Sequence, residues 1–198
     1  MTTFSKLMIL SVACAACGNV TSSPPAMPWL RGFTADAVAD TETAAASERL
    51  AELVGAPDEP GYGALQITTG SQTVLASYRQ GLAVVDRDGH LVARAPGFDA
   101  AGSSDDLVAL AAGDAGGEPV IALAVTRGGH RTSVTSIVLY RVADGRLEEL
   151  FSGAVEERDG ETITTGTLAF VPSGVMYRPP GAETARYIRL RSPSASPG

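Results

Sequence analysis

The Asp-Gly pairs Asp88-Gly89 and Asp144-Gly145 each stand between runs of strand-forming residues, and they constrain the fold more than any other feature. Asp-Gly between two β runs is a strong hairpin signal, because a type I′ turn needs positive φ at both central positions. The flanking segments, residues 83–94 and 139–150, repeat the same strand, turn, strand pattern at a spacing of 56 residues. Short apolar or alternating runs predict further strands near 64–68, 72–79, 81–86, 90–95, 106–112, 119–126, 133–142, 146–153, 161–171, 174–178 and 185–191. Each Asp-Gly hairpin then supplies the third and fourth strands of a group of four. The run from Val175 to Leu190 reads as a degenerate third copy. Residues 120–125 are apolar at every position, as a central strand covered on both faces would be.

The segment Gly81-Leu-Ala-Val-Val-Asp86, followed by Asp88-Gly89-His-Leu-Val-Ala-Arg94, resembles the outer hairpin of quinoprotein-type β-propeller repeats, without the tryptophan common in them. That resemblance implies four-stranded meanders in tandem. About three such groups are too few for a ring, which takes roughly four to eight. The expected fold is therefore all-β: antiparallel blade-like meanders in a partial, propeller-like stack. A β-sandwich of about ten strands is the alternative. One helix is predicted over 36–54, with Ala46, Leu50, Leu53 and Val54 on one face and Gly55 then Pro57 as a stop. The apolar stripe is narrow, so this helix is expected to pack on the margin of something larger.

The first seventeen residues carry a different message. A short n-region with Lys6 precedes the apolar run from Leu7 to Ala16, which ends in small side chains before Cys17. This is the layout of a secretory signal, and the run is well short of the roughly 20 residues a membrane-spanning helix needs. Ala15-Ala16-Cys17-Gly18 resembles the lipobox of bacterial lipoproteins, with Cys14 standing where a Leu is usual. The resemblance implies cleavage before Cys17 and its acylation. Cys14 is a second candidate acceptor, and Ala13-Cys14-Ala15 also fits an ordinary cleavage site that would release a soluble protein. Cys14 and Cys17 have CxxC spacing, but redox and metal sites of that kind sit beside folded structure and not in a leader. Both cysteines lie here, so no disulfide is expected in the domain. Gly18 and Asn19 lack the Asp that retains lipoproteins in the inner membrane of enteric bacteria, which by the same resemblance points to the outer membrane. The chain thus divides into a signal peptide (1–16), a Pro- and Ser-rich tether (17–35), one mainly-β domain (36–191) and a loose tail (192–198). Trp29 and Phe33 in the tether are expected to fold back on the domain, with a partner-docking role as the alternative.

The formal charge of −7 disfavours nucleic acid as a partner and offers no general attraction to anionic headgroups. Candidates for chemistry are sparse. Asp86-x-Asp88-Gly89 is a fragment of a calcium loop, and Asp114 and Glu118 bracket a second acidic loop. Calcium needs about six to eight oxygen ligands, and Ala115, Gly116 and Gly117 offer no side-chain oxygen. Simple turns explain both segments, and no metal or other cofactor is expected. Asp105 and Asp106 are neighbours on a strand entry and point to opposite faces, a poor arrangement for sharing one proton. His90 and His130 fall in loops, with no nucleophile elbow or zinc-type His pair to accompany them. Arg94, Arg141 and Arg189 are expected on solvent faces. Residues 162–167, polar and β-prone, read either as an internal strand with a Gly bulge or as an exposed edge that accepts a partner strand.

The expectation is a non-enzymatic lipoprotein of the cell envelope, held to the membrane by lipid on Cys17, whose β domain binds another macromolecule or acts as an accessory subunit. The rivals are an envelope hydrolase using Asp86, Asp88, Asp105 and Asp114, and a sugar- or small-ligand-binding module. The second would need an aromatic-lined groove, and aromatics are only 6% of the chain.

Overall fold

The computed structural model describes residues 27–55, 63–97, 106–115, 117–129 and 131–190. The fold is all-β with one short helix. Its first sheet is a four-stranded antiparallel meander of β3 (Leu65–Thr69), β4 (Gln72–Ser77), β5 (Gly81–Val85) and β6 (Leu91–Ala95). A second meander, β7 (Asp106–Asp114), β8 (Pro119–Gly128), β9 (Thr132–Ala143) and β10 (Arg146–Asp159), follows it. Two more strands extend that sheet, β11 (Thr162–Thr165) beyond β10 and β2 (Thr34–Ala39) beyond β7. The third sheet holds β12 (Thr167–Val171), β13 (Gly174–Arg178) and β14 (Arg186–Arg189), with β1 (Leu30–Arg31) laid parallel against β12. Both repeat hairpins, β5–β6 and β9–β10, are indeed third and fourth in their meanders.

The three sheets pack face to face, and the second is the shared wall. On β8, Ile121, Leu123 and Val125 point to the first sheet, where they meet Leu65, Val74, Leu82 and Val84. Val120, Ala122 and Ala124 point the other way, to the third sheet. That alternation is why residues 120–125 are apolar throughout. The side facing the third sheet is lined by Ala109, Ala111, Ala122 and Ala124, and the large rings of Trp29, Phe33 and Tyr177 fill the space these small side chains leave. At the margins of the first two sheets β3 lies against β7 and β6 against β10.

The helix is shorter than its sequence suggests. Residues 34–39 form β2 on the sheet edge, and α1 spans Ala44–Val54. Ala is a strong helix former, but Ala35, Ala37 and Ala39 alternate with Thr34, Asp36 and Val38, and pairing with β7 selects that period of two. Thr43 starts the helix by accepting the Ala46 N–H on its hydroxyl, and Gly55, at φ 77°, ends it. Ala46 and Leu50 seat α1 on the outer face of the first sheet, against Leu75, Ala83 and Val85.

Three further differences have local causes. Asp144 (φ 49°) and Gly145 (φ 72°) make the two-residue turn expected of them. At Asp88-Gly89 only the glycine has positive φ, and the connection from Val85 to Leu91 is five residues long. The Asp86 carboxylate captures the Asp88 and His90 N–H groups, each at 2.9 Å, and organises that wider loop. Trp29 and Phe33 do fold back on the domain, but with Met27 and Leu30 also buried the chain from Met27 on is part of the core and not a tether. Finally, Arg141 is not on a solvent face: it is 9% exposed and pairs across the strands with Glu148, donating at 2.9 and 2.7 Å to one oxygen.

Tyr140 lies buried between the first two sheets. Burial, reinforced by the Glu149 carboxylate opposite it, pushes its phenol up to about 12. A raised folded-state value means that the stabilisation is intact below about pH 10, the ordinary tyrosine value, and is lost as pH rises through 12. In an ultraviolet titration of the five tyrosines, Tyr140 should ionise only with alkaline unfolding. Tyr140→Phe should move that unfolding to higher pH; an unchanged midpoint would mean the phenol is free to ionise in the fold.

Candidate functional site

Strand length decides where this molecule leaves surface uncovered. The first sheet has strands of five or six residues, whereas β8, β9 and β10 have 10, 12 and 14. At about 3.3 Å per residue, the second sheet outruns the first by several residues. Its free end carries an open cleft of about 540 Å³, lined by Arg127, Thr132, Glu157, Asp159, Thr162 and Thr164 among others. In register, Arg127, Val134, Glu157 and Thr164 form one cross-strand row on the face that would otherwise meet the first sheet. Charged side chains of both signs line the cleft, and no aromatic ring does among the described residues.

Beside the cleft runs β11, the terminal strand of the second sheet, with Thr162 and Thr165 exposed and Ile163 47% exposed. The exposed-edge reading of residues 162–167 therefore applies to 162–165. Beyond Gly166 the chain leaves for the third sheet as β12. The Gly166 N–H donates to the Val155 carbonyl at 2.8 Å, which fixes Thr164 and Thr162 as the other residues bonded to β10. It follows that Ile163 and Thr165 turn their main-chain groups outward, unsatisfied by the sheet. This is an open β edge next to a groove able to take side chains.

The acidic candidates separate. Asp86, Asp88 and His90 come together on the β5–β6 loop, with potential ligand atoms within 4.8 Å of one another. Asp88 and His90 are exposed, however, and one Asp86 oxygen is already engaged by two N–H groups. Those N–H groups, that of His90 first, hold the Asp86 carboxyl below its ordinary range. A general acid needs the opposite shift. Asp114 is no part of this cluster; it accepts the Gly117 N–H at 2.8 Å in the β7–β8 turn. Asp106 begins β7 as an exposed residue. Asp105 and His130 lie outside the described residues, as do Cys14, Cys17 and the tail 192–198.

No protein-family model, curated protein or solved structure matches this chain. Among the described residues no helix is long and apolar enough to cross a membrane.

Proposed function

We propose that this chain is a non-enzymatic lipoprotein of the bacterial envelope, anchored by acylation of Cys17 in the outer membrane, whose open stack of blade-like meanders holds an envelope protein. The observation that carries the binding role is the unpaired β11 edge beside the cleft of the second sheet. An extended segment of the partner adds to that edge through the main-chain groups of Ile163 and Thr165. Its alternate side chains enter the cleft, where Arg127, Glu157 and Asp159 select them. The anchor is supported by the leader and its lipobox-like end at Cys17.

Thr165→Pro tests this directly. Proline removes one outward N–H from β11 and leaves the bonds of Thr162 and Thr164 to β10 in place. With a photo-crosslinking residue at position 163, envelope fractions should yield a defined adduct that Thr165→Pro reduces at least about tenfold, the equivalent of one lost edge hydrogen bond plus a misfitted strand. Thr165→Ala, which keeps the N–H, should retain the adduct. Equal adducts from the Pro and Ala variants would remove strand addition from the proposal.

A further inference from the structure

The third sheet has a face that belongs to neither core. In register, Arg31, Ala169, Met176 and Tyr187 form one row across it, with Thr167 and Arg178 on one side and Val171, Gly174 and Arg189 on the other. Arg31, Tyr187 and Arg189 are exposed, and Met176 and Arg178 are half-buried. No acidic side chain shares the face, and no ion pair engages any of its three arginines among the described residues. The Tyr187 ring lies over Gly174, where a Cβ would come within 2.6 Å of it, and its hydroxyl donates to the Ser173 carbonyl at 3.0 Å. The result is a flat surface of sulfur, methyl and aromatic groups studded with unpaired guanidinium groups.

Its charge opposes that of the rest of the molecule. Residues 27–33 and 167–190 contain four arginines and one glutamate, net +3, in a chain of formal charge −7. The opposite outer layer is α1, whose exposed Glu48 and Glu52 point away from the sheets. The first described residue also lies beside the basic sheet. Met27 is pinned in the core next to β1, the edge strand of this sheet, and Cys17 is only ten residues earlier, a reach of at most about 35 Å.

We infer that the outer face of the third sheet, through Arg31, Arg178, Arg189 and Tyr187, rests on anionic lipid headgroups of the membrane that holds the anchor. The inference depends on the lipid anchor at Cys17 proposed above. Guanidinium groups bind headgroup phosphates with paired N–H donors, and Tyr187 and Met176 suit the boundary between headgroup and acyl chain. A lipid chain combined with a basic patch is a stable two-part attachment. Whole-chain charge hides this, because surface attraction acts over a screening length of roughly 8–10 Å and reads the nearest face alone.

The test uses the full chain, processed and acylated, with one introduced cysteine at Thr167→Cys on this face or Glu52→Cys on α1. The protein is reconstituted on phosphatidylcholine vesicles with or without phosphatidylglycerol, and the rate of labelling by a water-soluble maleimide is measured. Position 167 should label at least about fivefold more slowly on the anionic vesicles, position 52 equally on both, and the difference should vanish at high salt. Arg31→Glu, Arg178→Glu and Arg189→Glu together should abolish the protection while leaving flotation with the vesicles intact. An acylated chain that floats with both vesicles but labels equally at 167, or is protected at 52 instead, overturns the inference alone. A chain whose intact mass shows no acylation, and which floats with neither, overturns the anchor and the inference with it.

Discussion

A chain that begins at Ala35, where the Pro-rich segment ends by sequence, is expected to lose its fold altogether. The cut removes Met27, Trp29, Leu30 and Phe33, which are 0%, 8%, 0% and 1% exposed and which fill the space between the second and third sheets. Burying each side chain of this size is worth about 1.5–3 kcal/mol, so the four together approach the 5–15 kcal/mol by which a domain is usually stable. The cut also strips β12 of its neighbour, including the Trp29 carbonyl that accepts the Leu168 N–H at 2.9 Å. Circular dichroism and amide dispersion should show a collapsed, uncooperative chain from residue 35 and a cooperative one from residue 25. A well-folded chain from residue 35 with an unchanged melting temperature would show that this strap adds nothing.

Gly81→Ala is expected to cost about 2–5 kcal/mol, against about 1–2 kcal/mol for Gly70→Ala. Both glycines have positive φ, 88° and 54°, so both substitutions incur the left-handed backbone penalty of about 1–2 kcal/mol. Only at Gly81 is there also no room. A Cβ there would sit 2.2 Å from the Ala95 carbonyl oxygen and 2.6 Å from the Pro96 carbonyl carbon, whereas at Gly70 nothing lies within 4 Å. Main-chain atoms of β6 have no alternative rotamer, so β5 must shift within a packed sheet, an overpacking cost of about 1–3 kcal/mol. Denaturant melts followed by Trp29 fluorescence, the one tryptophan of the chain, compare the two variants directly. Equal losses would mean that β5 and β6 separate freely.

The parts of this fold that were legible in the sequence are those set by neighbours along the chain. Strand periodicity located almost every strand, the two-sided run at 120–125 identified β8 as central, and Asp144-Gly145 fixed a turn. What was not legible depends on partners distant in sequence. Residues 34–39 become a strand only because β7 offers an edge. Leu30 and Arg31 are strand only beside β12. Residues 161–171 split at Gly166 because a Cβ there would meet the Arg178 carbonyl oxygen at 2.4 Å as the chain passes into another layer. Arg141 is buried because Glu148 faces it across a hairpin. The candidate edge at 162–165 was readable as one of two alternatives from composition alone. The cleft beside it was not, since it arises from unequal strand lengths in two different sheets.

The parallel pairing of β1 with β12 also has a consequence for the order of folding. Leu30 is aligned with Leu168, 138 residues later. Closing so long a loop costs entropy that no local contact repays, and pairings of this kind slow the final step of folding. In a chain made from its N-terminus, the earliest of the described strands to emerge is therefore the last to be placed. Until residues 167–190 arrive, Leu30, Phe33 and the alanine-lined face of the second sheet stay uncovered, so the partly made chain holds an exposed apolar surface that only β12, β13 and β14 can close.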